Sequence, residues 1–313
     1  MSWANLYPGH WTLQWGWRIA MRRRAMTVGW GFTLLLLASE AGCGWLSFRH
    51  RGPYSLAPEQ MVRFQQLSEQ AQQAVDKGDP QAAQAILHQL VALDPRSAEA
   101  MLRLGKVLQL QGQSAEAEAC FKRALEIDRD YPEALIGLGQ MEANRGGIDS
   151  ALERFRTAIE LEPNKPDAHM EQGRVLEAAG RTDEAIAAYF RASEFNPNQS
   201  EIALRIGSIQ LQQNQPDQAL VRFDQVVELA PGNSEARLLR GRANLMLRRL
   251  PDAISDLKFA VAQLPNRPDA HYYLALALEA DNRRAEALES ANRASKLAPD
   301  FAGIRDLSTR LRR

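Results

Sequence analysis

The sequence predicts a stacked array of repeats, a solenoid that offers binding surface rather than an enclosed catalytic pocket. Three recurrences carry this. Pro95, Pro163, Pro197, Pro231, Pro265 and Pro299 share one 34-residue frame, and of the steps between them only Arg129 lacks proline. In the same frame alanine recurs from Ala83 to Ala287, and a large apolar residue follows four positions later in all units but the last. A fixed period of roughly 20–50 residues is the signature of units that each depend on their neighbours to bury an apolar face.

Placing the proline at position 32 starts seven units, at residues 64, 98, 132, 166, 200, 234 and 268, the last ending at 301. Position 8 is Ala71, Gly105, Gly139, Gly173, Gly207, Gly241 and Ala275, and position 20 is always alanine. Position 24 is Leu87, Phe121, Phe155, Tyr189, Phe223, Leu257 and finally Ala291. In these positions residues 64–301 resemble the tetratricopeptide repeat. The resemblance implies an all-α, right-handed superhelical solenoid in which each unit is two antiparallel helices, A and B. Small residues at positions 8 and 20 then permit close backbone approach, and the large residue at position 24 fills the space between helices.

The chain divides into a basic segment with a signal peptide or membrane anchor (1–48), a short linker with the start of a first helix (49–63), the seven units (64–301) and a capping helix (302–313). Up to residue 63 there are seven arginines against Glu40 and Glu59, so of 38 basic and 38 acidic residues the remainder keeps 31 and 36. All six tryptophans precede residue 46. Arg22-Arg23-Arg24, the apolar run Met26–Ala38 and the small residues Ala41-Gly42-Cys43 read together as a bacterial export signal.

Three outcomes compete there. Ala41-Gly42-Cys43 resembles the end of a lipoprotein processing box with Cys43 lipidated, although Glu40 stands where leucine is expected. Ser39-Glu40-Ala41 fits a small-x-small cleavage before Gly42 that releases a soluble chain. Met26–Phe48 alternatively stays as a tilted anchor, with Trp30 and Trp45 near the interfaces and Glu40 at a cost inside. The arginines place the N-terminal side in the cytoplasm and the repeats on the periplasmic side, an inference weakened by Arg49 and Arg51. Residues 1–20 carry four tryptophans and no targeting pattern, so translation from Met21 would give a compact basic start.

Pro58 marks a first helical turn, and unit one is degenerate, with Gln70 in place of leucine. In the later units position 2 is Glu99, Glu133, Asp167, Glu201, Glu235 or Asp269, a carboxylate favoured in a first helical turn. Position 15 supplies the stop of helix A as Gly78, Gly112, Gly146 and Gly180, then Asn214, Arg248 and Asn282. Arginine adopts the left-handed conformation poorly, which predicts a different turn in unit six. Arg240 replaces leucine at position 7 and must snorkel or pair with a carboxylate, within a crowd formed with Arg237, Arg242, Arg248 and Arg249. That crowd reads as local ion pairs, or as a patch for an acidic partner. Residues 302–313 place Ile304, Leu307 and Leu311 on one face, as a cap needs.

Positions 2, 5, 9, 12 and 13 share one face of helix A, and the resemblance places that face in a concave groove. Position 5 reads Leu102, Ile136, Met170, Leu204, Leu238 and Tyr272 from unit two onward, an apolar stripe. Position 9 reads Lys106, Gln140, Arg174, Ser208 and Arg242 over units two to six, a cation in alternate units. This predicts a groove for an extended or helical peptide, held by apolar anchors with cations for its carboxylates; the same stripe also serves packing between neighbouring A helices. The lysine–asparagine pair of co-chaperone relatives and the asparagine ladder of sugar-transferring relatives are both missing.

The mildly acidic body argues against nucleic acid as a ligand. His169 and His271 both fall at position 4, too far apart for one metal and read as packing residues; Cys120 reads as a small semi-buried apolar side chain. No phosphate loop, paired metal-ligand spacing or nucleophile elbow occurs. The expected protein is therefore a scaffold without catalysis, cofactor, metal or small-molecule substrate, tethered at an envelope membrane through its N-terminus. The alternative is a soluble secreted or periplasmic adaptor that regulates an enzyme or assembly machine.

Overall fold

A computed structural model describes residues 56–196 and 200–312. The readings of Cys43, of the apolar run Met26–Ala38 and of the cleavage patterns lie outside the described residues. Within them the chain is a solenoid of helices without a strand. Unit one is α1 (Pro58–Asp76) and α2 (Pro80–Leu93), unit two α3 (Ala98–Leu110) and α4 (Ser114–Ile127). Units three and four are α5 (Pro132–Asn144) with α6 (Ile148–Leu161) and α7 (Pro166–Ala178) with α8 (Thr182–Phe195). Units five and six are α9 (Ser200–Gln212) with α10 (Pro216–Leu229) and α11 (Ser234–Met246) with α12 (Leu250–Gln263). Unit seven is α13 (Pro268–Ala280) with α14 (Arg284–Leu297), and α15 (Ala302–Arg312) closes the stack. Helix α1 runs unbroken from Pro58 over 19 residues, against 13 for α3.

Helices α3, α5, α7, α11 and α13 start by one of two devices. Where the residue before the helix is Tyr131, Lys165 or Arg267, which provides no cap, the helix opens with Pro132, Pro166 or Pro268, whose missing N–H leaves one orphan donor fewer. Helices α3 and α11 lack that proline and are capped instead. Ser97 Oγ accepts from the Ala100 N–H at 3.1 Å and Asn233 Oδ1 from the Ala236 N–H at 2.9 Å. The position-2 carboxylates sit in the first turn, as expected.

All A helices of the units stop alike. In unit two the Gly112 N–H donates to the Gln109 carbonyl at 3.0 Å and the Gln113 N–H to the Leu108 carbonyl at 2.9 Å, a Schellman closure. It needs a left-handed residue at position 15, and Gly112 has φ 76°. Arg248 has φ 59°, beside 60° for Asn214 and 62° for Asn282. The expectation of a different turn in unit six is thus corrected: Arg248 donates to Leu245 at 3.1 Å and Arg249 to Asn244 at 2.9 Å. The closure holds arginine in a conformation costing about 1–2 kcal/mol.

Close packing within each unit rests on positions 8 and 24. A Cβ placed on Gly105, Gly139 or Gly207 would lie 2.6 Å from the ring of Phe121, Phe155 or Phe223, and one on Gly173 2.7 Å from Tyr189. These rings are 0% exposed. Phe121 is covered on its other side by Gly137 of the next unit, where a Cβ would come within 2.9 Å. In the end units alanine replaces the glycine, and the partner shrinks in step to Leu87 or Ala291.

The proline at position 32 follows the last turn of helix B, and its carbonyl has a second use. His169 and His271 donate Nε2–H to the carbonyls of Pro163 and Pro265, each at 3.0 Å, and Arg237 Nε–H reaches that of Pro231 at 2.9 Å. The two histidines are buried packing residues that tie one unit to the next. Cys120 packs half-buried against the core of the first units, and burial pushes its thiol pKa up. At the C-terminus Ile304, Leu307 and Leu311 are buried, while Arg310 grips Glu279 through bonds of 2.8 and 2.6 Å. That is the predicted cap.

Two outcomes test this packing. Gly139→Ala should destabilise the array by about 1–3 kcal/mol through overpacking, and adding Phe155→Leu should recover most of the loss, as the Ala71–Leu87 pair does naturally; urea unfolding followed by circular dichroism measures both. Arg248→Gly should raise the urea midpoint, by up to about 1 kcal/mol of relieved strain, and an unchanged or lower midpoint would refute the strain.

Candidate functional site

The A helices line the crowded inner side of the stack. Helix α3 touches α5, α5 touches α7, α9 touches α11 and α11 touches α13, whereas no two B helices meet to that extent among the described residues. The face carrying positions 5, 9 and 13 is therefore the concave one.

Position 5 divides into two groups. Leu102, Ile136 and Leu238 are 5%, 7% and 1% exposed and belong to the core. Met170, Leu204 and Tyr272 are half-buried. The stripe thus serves packing at Leu102, Ile136 and Leu238 and is partly open at the other three positions. Around Met170 the packing is looser, since α7 makes no contact with α9 comparable to that of α5 with α7.

At position 9, Lys106 and Arg174 are exposed, and Arg174 Nη1 donates to Glu171 at 3.1 Å. Gln140 is half-buried and accepts from Gln109 Nε2 at 3.2 Å. Arg242 lies with its guanidinium 5.2 Å from the centre of the Tyr273 ring. Tyr273 meets Tyr272 at 5.4 Å between ring centres, and Tyr272 meets Phe301 edge-on at 5.8 Å. Burial pushes the Tyr273 phenol pKa up, so it stays a neutral hydrogen-bonding group. Together with exposed Met246, these side chains make an aromatic and cationic wall at the C-terminal end of the groove.

Tyr273, Met246 and Phe301 were not among the residues singled out in the sequence. Met246 occupies position 13, which shares the inner face, so its direction was readable; Phe301 lies in the connection before α15, where no helical period applies. Leu110, also at position 13, is 76% exposed on the same face.

Three arginines of the unit-six crowd, Arg237, Arg240 and Arg249, form internal ion pairs. Arg240 binds Asp256 through Nε at 2.7 Å and Nη2 at 2.8 Å, and reaches Asp224 of the preceding unit at 3.0 Å. The Asp256 hydrogen bonds hold the Arg240 guanidinium protonated far above its ordinary pKa. Arg237 joins Asp256 at 3.3 Å and stacks on Phe259, and Arg249 faces Asp217 at 3.8 Å. Among the described residues no cluster of three His, Cys, Asp or Glu side chains has the placement to hold a metal.

A solenoid of helical pairs whose A helices line one inner side defines an interaction-surface protein. Models described as tetratricopeptide repeat match residues 74–141 and residues 136–200, 204–268 and 247–300. The chain belongs to the tetratricopeptide-repeat family, whose members generally mediate protein–protein interactions. No curated protein matches it by sequence. Among solved structures it is similar to pilF of Pseudomonas aeruginosa, at 19% identity and TM-score 0.62, over 68% of this chain and 97% of that one. It is similar also to the APC/C hetero-tetramer Cut9–Hcn1, at 18% and 0.61, over 83% of this chain and 49% of that one. A third is YrrB, titled a TPR protein with an unusual peptide-binding site, at 22% and 0.54, over 60% and 97%. These likenesses are of fold.

Asp256, with its side chain 4% exposed, makes a sharp test of the unit-six reading. Arg240→Ala should cost about 3–5 kcal/mol by stranding a buried carboxylate, whereas Arg240→Leu with Asp256→Ala should restore most of it. Equal losses in urea unfolding would place the arginine's role elsewhere.

Proposed function

We propose that the protein is a non-catalytic scaffold tethered through its N-terminus at a bacterial envelope membrane, with the repeats on the periplasmic side binding partner peptides in the concave groove. The observation that carries the binding part is the wall of Arg242, Met246, Tyr272, Tyr273 and Phe301. Aromatic and arginine side chains dominate interface energetics, and here a cation lies beside an apolar, partly exposed surface. Met170 on α7 and Leu204 on α9, both half-buried, would serve as further anchors, with Lys106 and Arg174 for carboxylates of the peptide. The tether rests on Arg22-Arg23-Arg24 followed by Met26–Ala38, and Cys43 is its lipidation site in the lipoprotein form.

Among the described residues no helix is long and apolar enough to cross a membrane. The Ser39-Glu40-Ala41 pattern favours a second reading, a soluble secreted or periplasmic adaptor that regulates an enzyme or assembly machine.

Tyr272→Ala combined with Met246→Glu should abolish retention of the principal membrane partner in a tagged pull-down and leave helicity unchanged, while Leu229→Glu, an exposed change on helix B, should not. Undiminished retention would move the binding face elsewhere. Fractionation decides the tether: membrane association that resists high salt and disappears on deleting residues 1–45 supports it, and release of the intact chain favours the adaptor.

A further inference from the structure

A second feature lies on the other side of the stack, between the B helices of units four and five. A cleft of about 420 Å³ opens between α8 and α10 beside the end of α9, within the roughly 300–1,000 Å³ of ligand pockets. Its wall carries Phe190, Gln210, Gln213, Gln218 and Arg222, with Asp183 at one side.

The repeat frame shows what is unusual here. In unit three, positions 11, 19 and 23 are Glu142, Ser150 and Arg154. Ser150 Oγ donates to Glu142 at 2.6 Å and Arg154 Nε to the same carboxylate at 3.3 Å, a closed set. In unit five the same positions are Gln210, Gln218 and Arg222. Gln210 Nε2 donates to Gln218 at 3.2 Å, but the buried Gln210 Oε1 and Arg222 Nε have no hydrogen-bond partner. Gln210 is only 4% exposed. Replacing the acid by an amide has left a guanidinium without its carboxylate, held in place by the Phe190 ring 4.8 Å away. The residues around it are amides, which pair with peptide groups as donor and acceptor.

We propose that this cleft is a second binding site, which takes a carboxylate borne by an extended peptide. Arg222 is its charge partner, the glutamines pair with the peptide backbone, and Phe190 is the apolar wall. The Asp183 carboxylate, which accepts from Gln213 Nε2 at 2.7 Å, opposes a doubly charged phosphate and favours a single negative charge. In unit three Glu142 supplies the carboxylate from within; here the ligand meets the half-buried Arg222 guanidinium from the open side of the cleft, because Arg222 Nε is itself buried.

The test uses the full chain and anisotropy of three octapeptides carrying a neutral dye. One has a central glutamate and an amidated end, one a central glutamine and a free C-terminal carboxylate, and one a central glutamine and an amidated end. The wild type should bind at least one carboxylate peptide about tenfold or more tighter than the neutral one, the scale of one charge-assisted hydrogen bond. Which peptide is preferred distinguishes a side-chain from a terminal carboxylate. Arg222→Gln and Gln210→Glu should each remove the preference, and Gln210→Glu should also raise the thermal midpoint by restoring the unit-three arrangement. Tyr272→Ala with Met246→Glu should leave the preference intact, which separates this site from the concave groove. Absence of preferential binding, a preference that survives Gln210→Glu, or a lowered midpoint in that variant would overturn the proposal.

Discussion

Close approach of the two helices in each unit is the constraint on which the rest of the molecule depends. From Gly105 to Gly207 the missing Cβ at position 8 is the space that the ring at position 24 occupies. Interiors packed to that density leave no room for a methylene without displacement. Because the same contact recurs in each unit, it fixes how helix A sits on helix B, and hence which side chains of helix A turn inward. The paired change at both ends, to Ala71 with Leu87 and Ala275 with Ala291, keeps the sum of the two sizes down where the stack has fewer neighbours.

Polar groups then modulate an otherwise apolar stack. The proline that ends helix B leaves a carbonyl that His169, Arg237 and His271 reach, so the element that stops one unit also docks the next. Within the units, positions 7, 11 and 23 exchange hydrophobic contacts for Arg240 with Asp256, Glu142 with Arg154, and Gln210 with Arg222. The first two sets give each arginine a carboxylate, and at the buried Asp256 this satisfies a charge taken out of water. The third does not.

Much of the scaffold was legible in the sequence because it depends on short-range rules applied in a fixed register. Proline at position 32, the carboxylate at position 2 and the small–large pairing each announce a boundary or a contact without knowledge of the remote chain. Arg248 was misread for an instructive reason. Its intrinsic reluctance to adopt positive φ is real, but two backbone hydrogen bonds repeated in the other units outweigh it. The groove was only half legible. Helical period puts Leu102, Ile136 and Leu238 on one face of helix A with Met170, Leu204 and Tyr272, yet a shared face does not decide exposure: the first three are buried and the others half-buried. Phe301 lay beyond the reach of periodicity altogether, being in a connection.

The sequence by itself determined the family, the start and stop signals of helix A, the interlocking pairs and which residues share a face of helix A, because these follow from local propensity and a 34-residue repeat. Only the tertiary structure decided which of those inner residues remain open, which carboxylates Arg240 finds, and that Arg222 lacks one. Those outcomes depend on how closely successive units approach and on partners 16 or more residues away, as in Arg240 with Asp224 and Asp256, and no local rule contains that separation.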